Sequence, residues 1–227
     1  KYINLSDIGW CFHTVEVIKS FNMQLFFAIS GFLFANSKQN DIRKAFKGKF
    51  DRLLVPMLFF AAISLFFFIF FSSYFSSETT VSKSMLIDWF IYGECNWFVY
   101  TLLVIFCLVI PLKKRLTPAL VIGISLALVV LKELGLVHAR IFQIHHVFYM
   151  LVFFFIGYLT YVYYDIIRPF ISKWYLCGLC IVVYVFLYQI KEVSLVSNWA
   201  LPITLGTCIW GGVILLSDKY EFKLLQY

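Results

Sequence analysis

The chain has 227 residues, 62% of them hydrophobic and only 14% charged, with 27 Phe and a mean hydropathy of +0.88. So little polar material cannot coat a water-facing surface, which excludes a soluble globular domain, a disordered segment, a collagen and a coiled coil. What is left is an integral membrane protein, and at about 20 residues per helical span the length accommodates about six to eight spans.

Apolar stretches at 21–36, 53–75, 96–112, 117–136, 146–164, 173–190 and 199–216 predict seven transmembrane helices in one all-α, polytopic bundle covering 1–227 as a single domain. The alternating polarity of a membrane barrel is absent, and runs such as Leu65 to Phe71 are apolar on every side. Ahead of the first span, His13, Glu16, Ser20 and Gln24 recur at spacings of three, four and four. They form one stripe facing a polar cavity if the helix begins before its apolar part; a pre-helix loop with accidental periodicity is the alternative.

Between the first and second spans, Lys38 to Arg52 holds six basic residues among fifteen. Topology and attraction to anionic headgroups explain such a run, but Lys49 and Arg52, three apart at the mouth of the second span, also share a helix face and predict an anion clamp. Trp97 and Trp199 stand at the starts of spans, where aromatic belts are expected. Near the end of the fourth span, Lys132 and Glu133 are adjacent and diverge by about 100° on a helix; Lys132 is expected to snorkel outward. His13, His138, His145 and His146 all fall at the same side of the membrane, and imidazole is the side chain best suited to accept a proton near neutral pH. Cys177 and Cys180 form a C-x-x-C inside an apolar span, where two thiols on one helix face predict neither redox chemistry nor a metal site. Cys11 and Cys95 fall together on the other side of the membrane from the basic loops, and sequence alone leaves open whether they pair.

Orientation follows from the basic residues. The gaps after the first, third, fifth and seventh spans hold 13 of the 19 Lys and Arg, and with 5 of the 12 acids that face carries +8 against −1 opposite. Cytoplasmic loops collect Lys and Arg, so the N-terminus is expected outside and the C-terminus inside, in the cytoplasm. The excess charge is a topology signal, with no nucleic-acid partner implied. Residue 1 is Lys, no signal peptide is evident although the topology starts outside, and the chain stops after a short basic turn at Tyr227. These features predict a piece of a longer protein, truncated at both ends.

Particular strings add a resemblance. Phe21 to Leu33, with Phe26, Phe27, Ser30 and Gly31 in register, resembles the F-H-M-P-L-F-F-x-x-S-G-[FY]-L signature of the membrane-bound acyltransferase 3 family. Lys49, Arg52, Leu53, Leu54 and Pro56 resemble its R-x-x-R-hydrophobic-P element; Trp97, Phe98 and Leu102 its W-F-x-x-x-L span; Phe155, Gly157 and Tyr158 its later F-x-G-Y. Asn22 and Gln24 stand where the family has His and Pro. The resemblance implies about ten spans, of which this chain lacks the first and the last two, and transfer of an acyl group, commonly acetyl, from cytoplasmic acyl-CoA to a hydroxyl of an outer glycan or lipid-linked sugar. It implies membrane lipid and a carbohydrate acceptor as partners and no metal. It assigns Lys49 and Arg52 to the donor, leaves His13, His145 and His146 as candidate bases, and implies that the family's main catalytic His lies outside this chain.

The residues leave two rivals open. A transporter or flippase of lipid-linked saccharides would also use a polar midplane and basic inner loops, but should show repeats or broken Gly/Pro helices in matching halves. A seven-helix receptor would share the topology, yet Pro202 lies at the outer end of its span with no Asn before it.

Overall fold

The computed structural model describes residues 9–37, 41–75, 97–135, 144–171, 173–190, 193 and 195–220. Among them there are eight helices and no strand: α1 (Gly9–Asn36), α2 (Ile42–Phe75), α3 (Trp97–Leu112), α4 (Pro118–Glu133), α5 (Ile144–Val162), α6 (Tyr164–Ile171), α7 (Trp174–Gln189) and α8 (Leu201–Tyr220). A 3-10 turn, Lys113–Arg115, follows α3, and a π-helical turn, Val196–Ala200, leads into α8. The all-helical expectation holds for these residues.

The expected count of seven spans is met only in part. Among the described residues, Trp97–Arg115 and Val196–Leu215 are long and apolar enough to cross a membrane. A third span results if α5 and α6, bent by 93° at their junction, count as one. For two of the expected spans the physical reason is length: the 16 residues of α4 or α7 rise about 24 Å, less than the ~30 Å of a hydrocarbon core.

Two compact units make up the chain, and their division falls inside α5. In Ser37–Val152, α2 packs along α3. The apolar sequence of α3 would tolerate burial anywhere, but Thr101, Leu102, Ile105, Phe106, Val109 and Ile110 form the buried stripe, two residues per turn, while Leu108 and Leu112 are left outside. The start of α4 is written in Thr117-Pro118: the Thr117 hydroxyl accepts a hydrogen bond from the Leu120 N–H at 3.4 Å, and Pro118 takes the first turn, where its missing N–H costs nothing. Its end is Gly135, whose φ of 67° suits a residue without Cβ.

In the other unit, Lys1–Asn36 with Phe153–Tyr227, α1 lies against α5 and α8. A Cβ on Gly31 would stand 1.9 Å from the Phe154 carbonyl oxygen, and one on Gly157 1.8 Å from that of Ala28. Here the backbones themselves touch, antiparallel, and only glycine permits it. Aromatic rings close around this crossing. Phe27 and Phe154 are fully buried, and the Phe32 ring meets Tyr161, Tyr164 and Trp210 edge-on at 5.3, 5.8 and 5.0 Å. The Tyr161 hydroxyl donates to Asn36 Oδ1 at 3.1 Å.

The outer surface of these helices is itself apolar. Phe59, Phe66, Phe67 and Phe70 of α2 and Leu179, Val182 and Phe186 of α7 are exposed, a pattern that lipid accepts and water does not.

Candidate functional site

The strongest concentration of charge lies where α2 begins and α3 ends, within one unit. Helix α2 starts at Ile42, eleven residues before its apolar run, and this basic prelude carries Lys49 and Arg52 on one face. Lys49 is half-buried, with its ammonium 4.6 Å from the centre of the Phe106 ring of α3; Arg52 is exposed. Pro56 sits four residues beyond Arg52 and has no N–H to offer the Arg52 carbonyl, so that carbonyl lacks its usual helical donor. The 3-10 turn after α3 adds Lys113, whose ammonium donates to the Ser37 carbonyl oxygen.

Burial holds the Lys49 ammonium below the usual lysine range, and the positive charges of Arg52 and Lys113 push it the same way. Three cations thus crowd one end of the helix pair. Beside them a shallow, half-open groove is lined by Phe46, Lys49, Phe50, Leu53, Leu103, Phe106, Cys107 and Ile110. A phosphate-bearing group at the cations would relieve their repulsion, and an apolar appendage could enter the groove. The sequence paired Lys49 with Arg52 but missed Lys113; the Lys-Lys-Arg run closing the third span was the available signal.

The other candidate residues are placed as follows. Helix α1 does begin ahead of its apolar run, which puts His13, Glu16, Ser20 and Gln24 in one register along it. The side chains of His13, Glu16, Ser20 and His145, and all of His138 and Cys95, lie outside the described residues, as does the side chain of Cys11. Gln24 lines a half-open pocket between α1, α5 and α8, with Ala28, Phe153, Gly157, Gly206 and Trp210 among its walls. The pocket's two threonines spend their hydroxyls on their own helices, Thr160 on the Ile156 carbonyl and Thr207 on that of Ile203.

His146 is half-buried at the start of α5, its ring stacked on Trp97 of α3 at 4.7 Å and 29°. Lys132 does not simply extend outward: its ammonium lies 3.6 Å above the Tyr149 ring of α5. Of the residues matching the family signature, Phe27 and Gly31 are packing residues of the α1 crossing, Ser30 is half-buried beside them, and Phe26 is exposed. Cys177 and Cys208 face each other across α7 and α8, each Sγ within 3.8 Å of the other's carbonyl oxygen, and among the described residues no cluster of His, Cys, Asp or Glu is arranged to hold a metal ion.

No curated protein and no solved structure matches the chain. The family model described as an acyltransferase domain, that of the acyltransferase 3 family, matches residues 2–221. That match takes in the cationic end, the glycine crossing and the stacked His146 alike: the chain belongs to the membrane-associated acyltransferase 3 family and is an acyltransferase.

Proposed function

We propose that this protein is an O-acyltransferase of the bacterial plasma membrane that moves an acyl group, acetyl in the simplest case, from cytoplasmic acyl-CoA to a hydroxyl of a glycan or lipid-linked sugar on the outer side. In this reading the apolar stretches form seven spans, with the N-terminal end outside and the basic end of α2 and α3 inside. The observation that carries it is the convergence of Lys49, Arg52 and Lys113 beside an apolar groove. Phosphates cannot enter hydrocarbon unpaired, so the nucleotide of the donor stays at these cations while its thioester arm runs inward along α3.

The far end of that helix, about 24 Å away over its 16 residues, bears Trp97 and the imidazole of His146. The acceptor oxygen attacks the thioester carbon, the C–S bond breaks, and the hydroxyl proton passes through a base to the departing thiolate, giving ester and free CoA thiol. His146, His13 and His145 are the candidates for that base.

The test is acyl transfer from radiolabelled acetyl-CoA by the full-length protein in membrane vesicles. Lys49→Ala with Arg52→Ala is expected to abolish transfer with insertion unchanged, and Lys113→Ala to raise the donor KM about tenfold, the loss of one charge-assisted contact. Unchanged transfer in the double variant would remove the donor assignment.

A further inference from the structure

We infer that the Trp97 end of α3 carries a carbohydrate subsite built from Trp97, Lys132, His146 and Tyr149, and that this subsite seats the acceptor; the inference rests on the acceptor being a glycan, as proposed above. Three helices supply it. Trp97 is the first residue of α3, Lys132 stands one residue from the end of α4, and His146 and Tyr149 are three apart on one face of α5. The rings and the cation are turned toward one another: the imidazole is stacked on the indole at 4.7 Å, and the ammonium is 3.6 Å from the phenol ring.

Residues of an interfacial aromatic belt would point one by one toward the headgroups, and a snorkelling lysine would lead its charge away from the protein. Here all four side chains are half-buried and paired across helix boundaries, His146 with Trp97 and Lys132 with Tyr149. The resulting surface combines fixed ring faces with a small number of polar nitrogens, which is how proteins hold pyranose sugars: ring faces cover the C–H side, and nitrogens reach the hydroxyls. The charge balance argues for a neutral ligand. Glu133 follows Lys132 directly, so among the described residues this end lacks the clustered cations that mark the other end of α3.

Trp97 acts as a positioning residue as well, because the stack fixes the plane of the His146 ring.

The experiment measures transfer kinetics of the full-length protein in vesicles with neutral hexose and N-acetylhexosamine oligosaccharides as acceptors and acetyl-CoA as donor. Trp97→Leu and Lys132→Gln are each expected to raise the acceptor KM about tenfold while the donor KM moves less than about twofold. Trp97→Phe, which keeps a ring face, should restore most of the acceptor affinity. An acceptor KM unchanged in both variants overturns the subsite, and so does a parallel rise of both KM values, which would mean a general disturbance of the unit. If the wild type accepts no oligosaccharide but acylates another hydroxyl compound, the glycan reading itself fails, an outcome distinct from normal saccharide transfer by the variants.

Discussion

Lys49 shows how a single side chain can carry a pH signature. Its proton affinity is lowered by burial first and then by Arg52 and Lys113, so it loses its charge at a pH below the ordinary lysine value of 10.5. An anion bound beside it favours the charged form, and anion affinity therefore falls as pH rises through the depressed value. Binding of CoA or pyrophosphate, followed by calorimetry from neutral to alkaline pH, should weaken in that direction. In Lys49→Arg, where the guanidinium stays charged, the decline should disappear; an identical decline would assign it to another group. Thr101 offers a second residue-scale outcome. Its side chain is fully buried in the α3 stripe and its hydroxyl has no hydrogen-bond partner among the described residues. Thr101→Val keeps the shape and removes the orphaned oxygen, so the variant should be more stable by about 1 kcal/mol in a detergent melt. A less stable variant would mean the hydroxyl is satisfied in the membrane.

At the scale of elements, several limits were legible in the sequence. Thr117-Pro118 and Gly135 bracket α4, and the expected span 96–112 coincides with α3 because both its ends are marked, by Trp97 and by Pro111 with the basic turn behind it. Hydropathy placed the starts of α1 and α2 too late, at 21 and 53, since it registers only the apolar part of a helix; for α1 the stripe from His13 to Gln24 had left an earlier start open. The bend between α5 and α6 was missed too: the apolar reading ran on to residue 164, and no Pro or Gly marks Tyr163. The contact of α1 with α5 yields a prediction that sequence resemblance alone does not. Gly31→Ala or Gly157→Ala must drive a methyl into a backbone oxygen, which cannot rotate away, so each should destabilise by about 3 kcal/mol or more, the upper range for overpacking. Gly123→Ala, with nothing near its Cβ, serves as the control, and equal melting temperatures for all three would refute the crossing.

For the whole molecule, composition pointed to a membrane and charge asymmetry to the cationic end of α2 and α3, because both are sums over many residues and survive local errors. Partnerships between distant residues did not follow. Lys113 reaches Ser37, and His146 finds Trp97, across 76 and 49 positions of chain, and nothing in a single sequence announces which helix ends will be neighbours. The family signature was legible as a string, and the packing behind it was not: Phe27 is fully buried and Gly31 lets two helix backbones touch.

The two missing methyl groups at Gly31 and Gly157 also set a bore. Ala28 and Gly157, one half of that crossing, are walls of the pocket that contains Gln24. The separation of α1 and α5 therefore works as a calliper for that pocket, and any side chain added at the crossing changes the size of what fits inside without touching a single polar group in it.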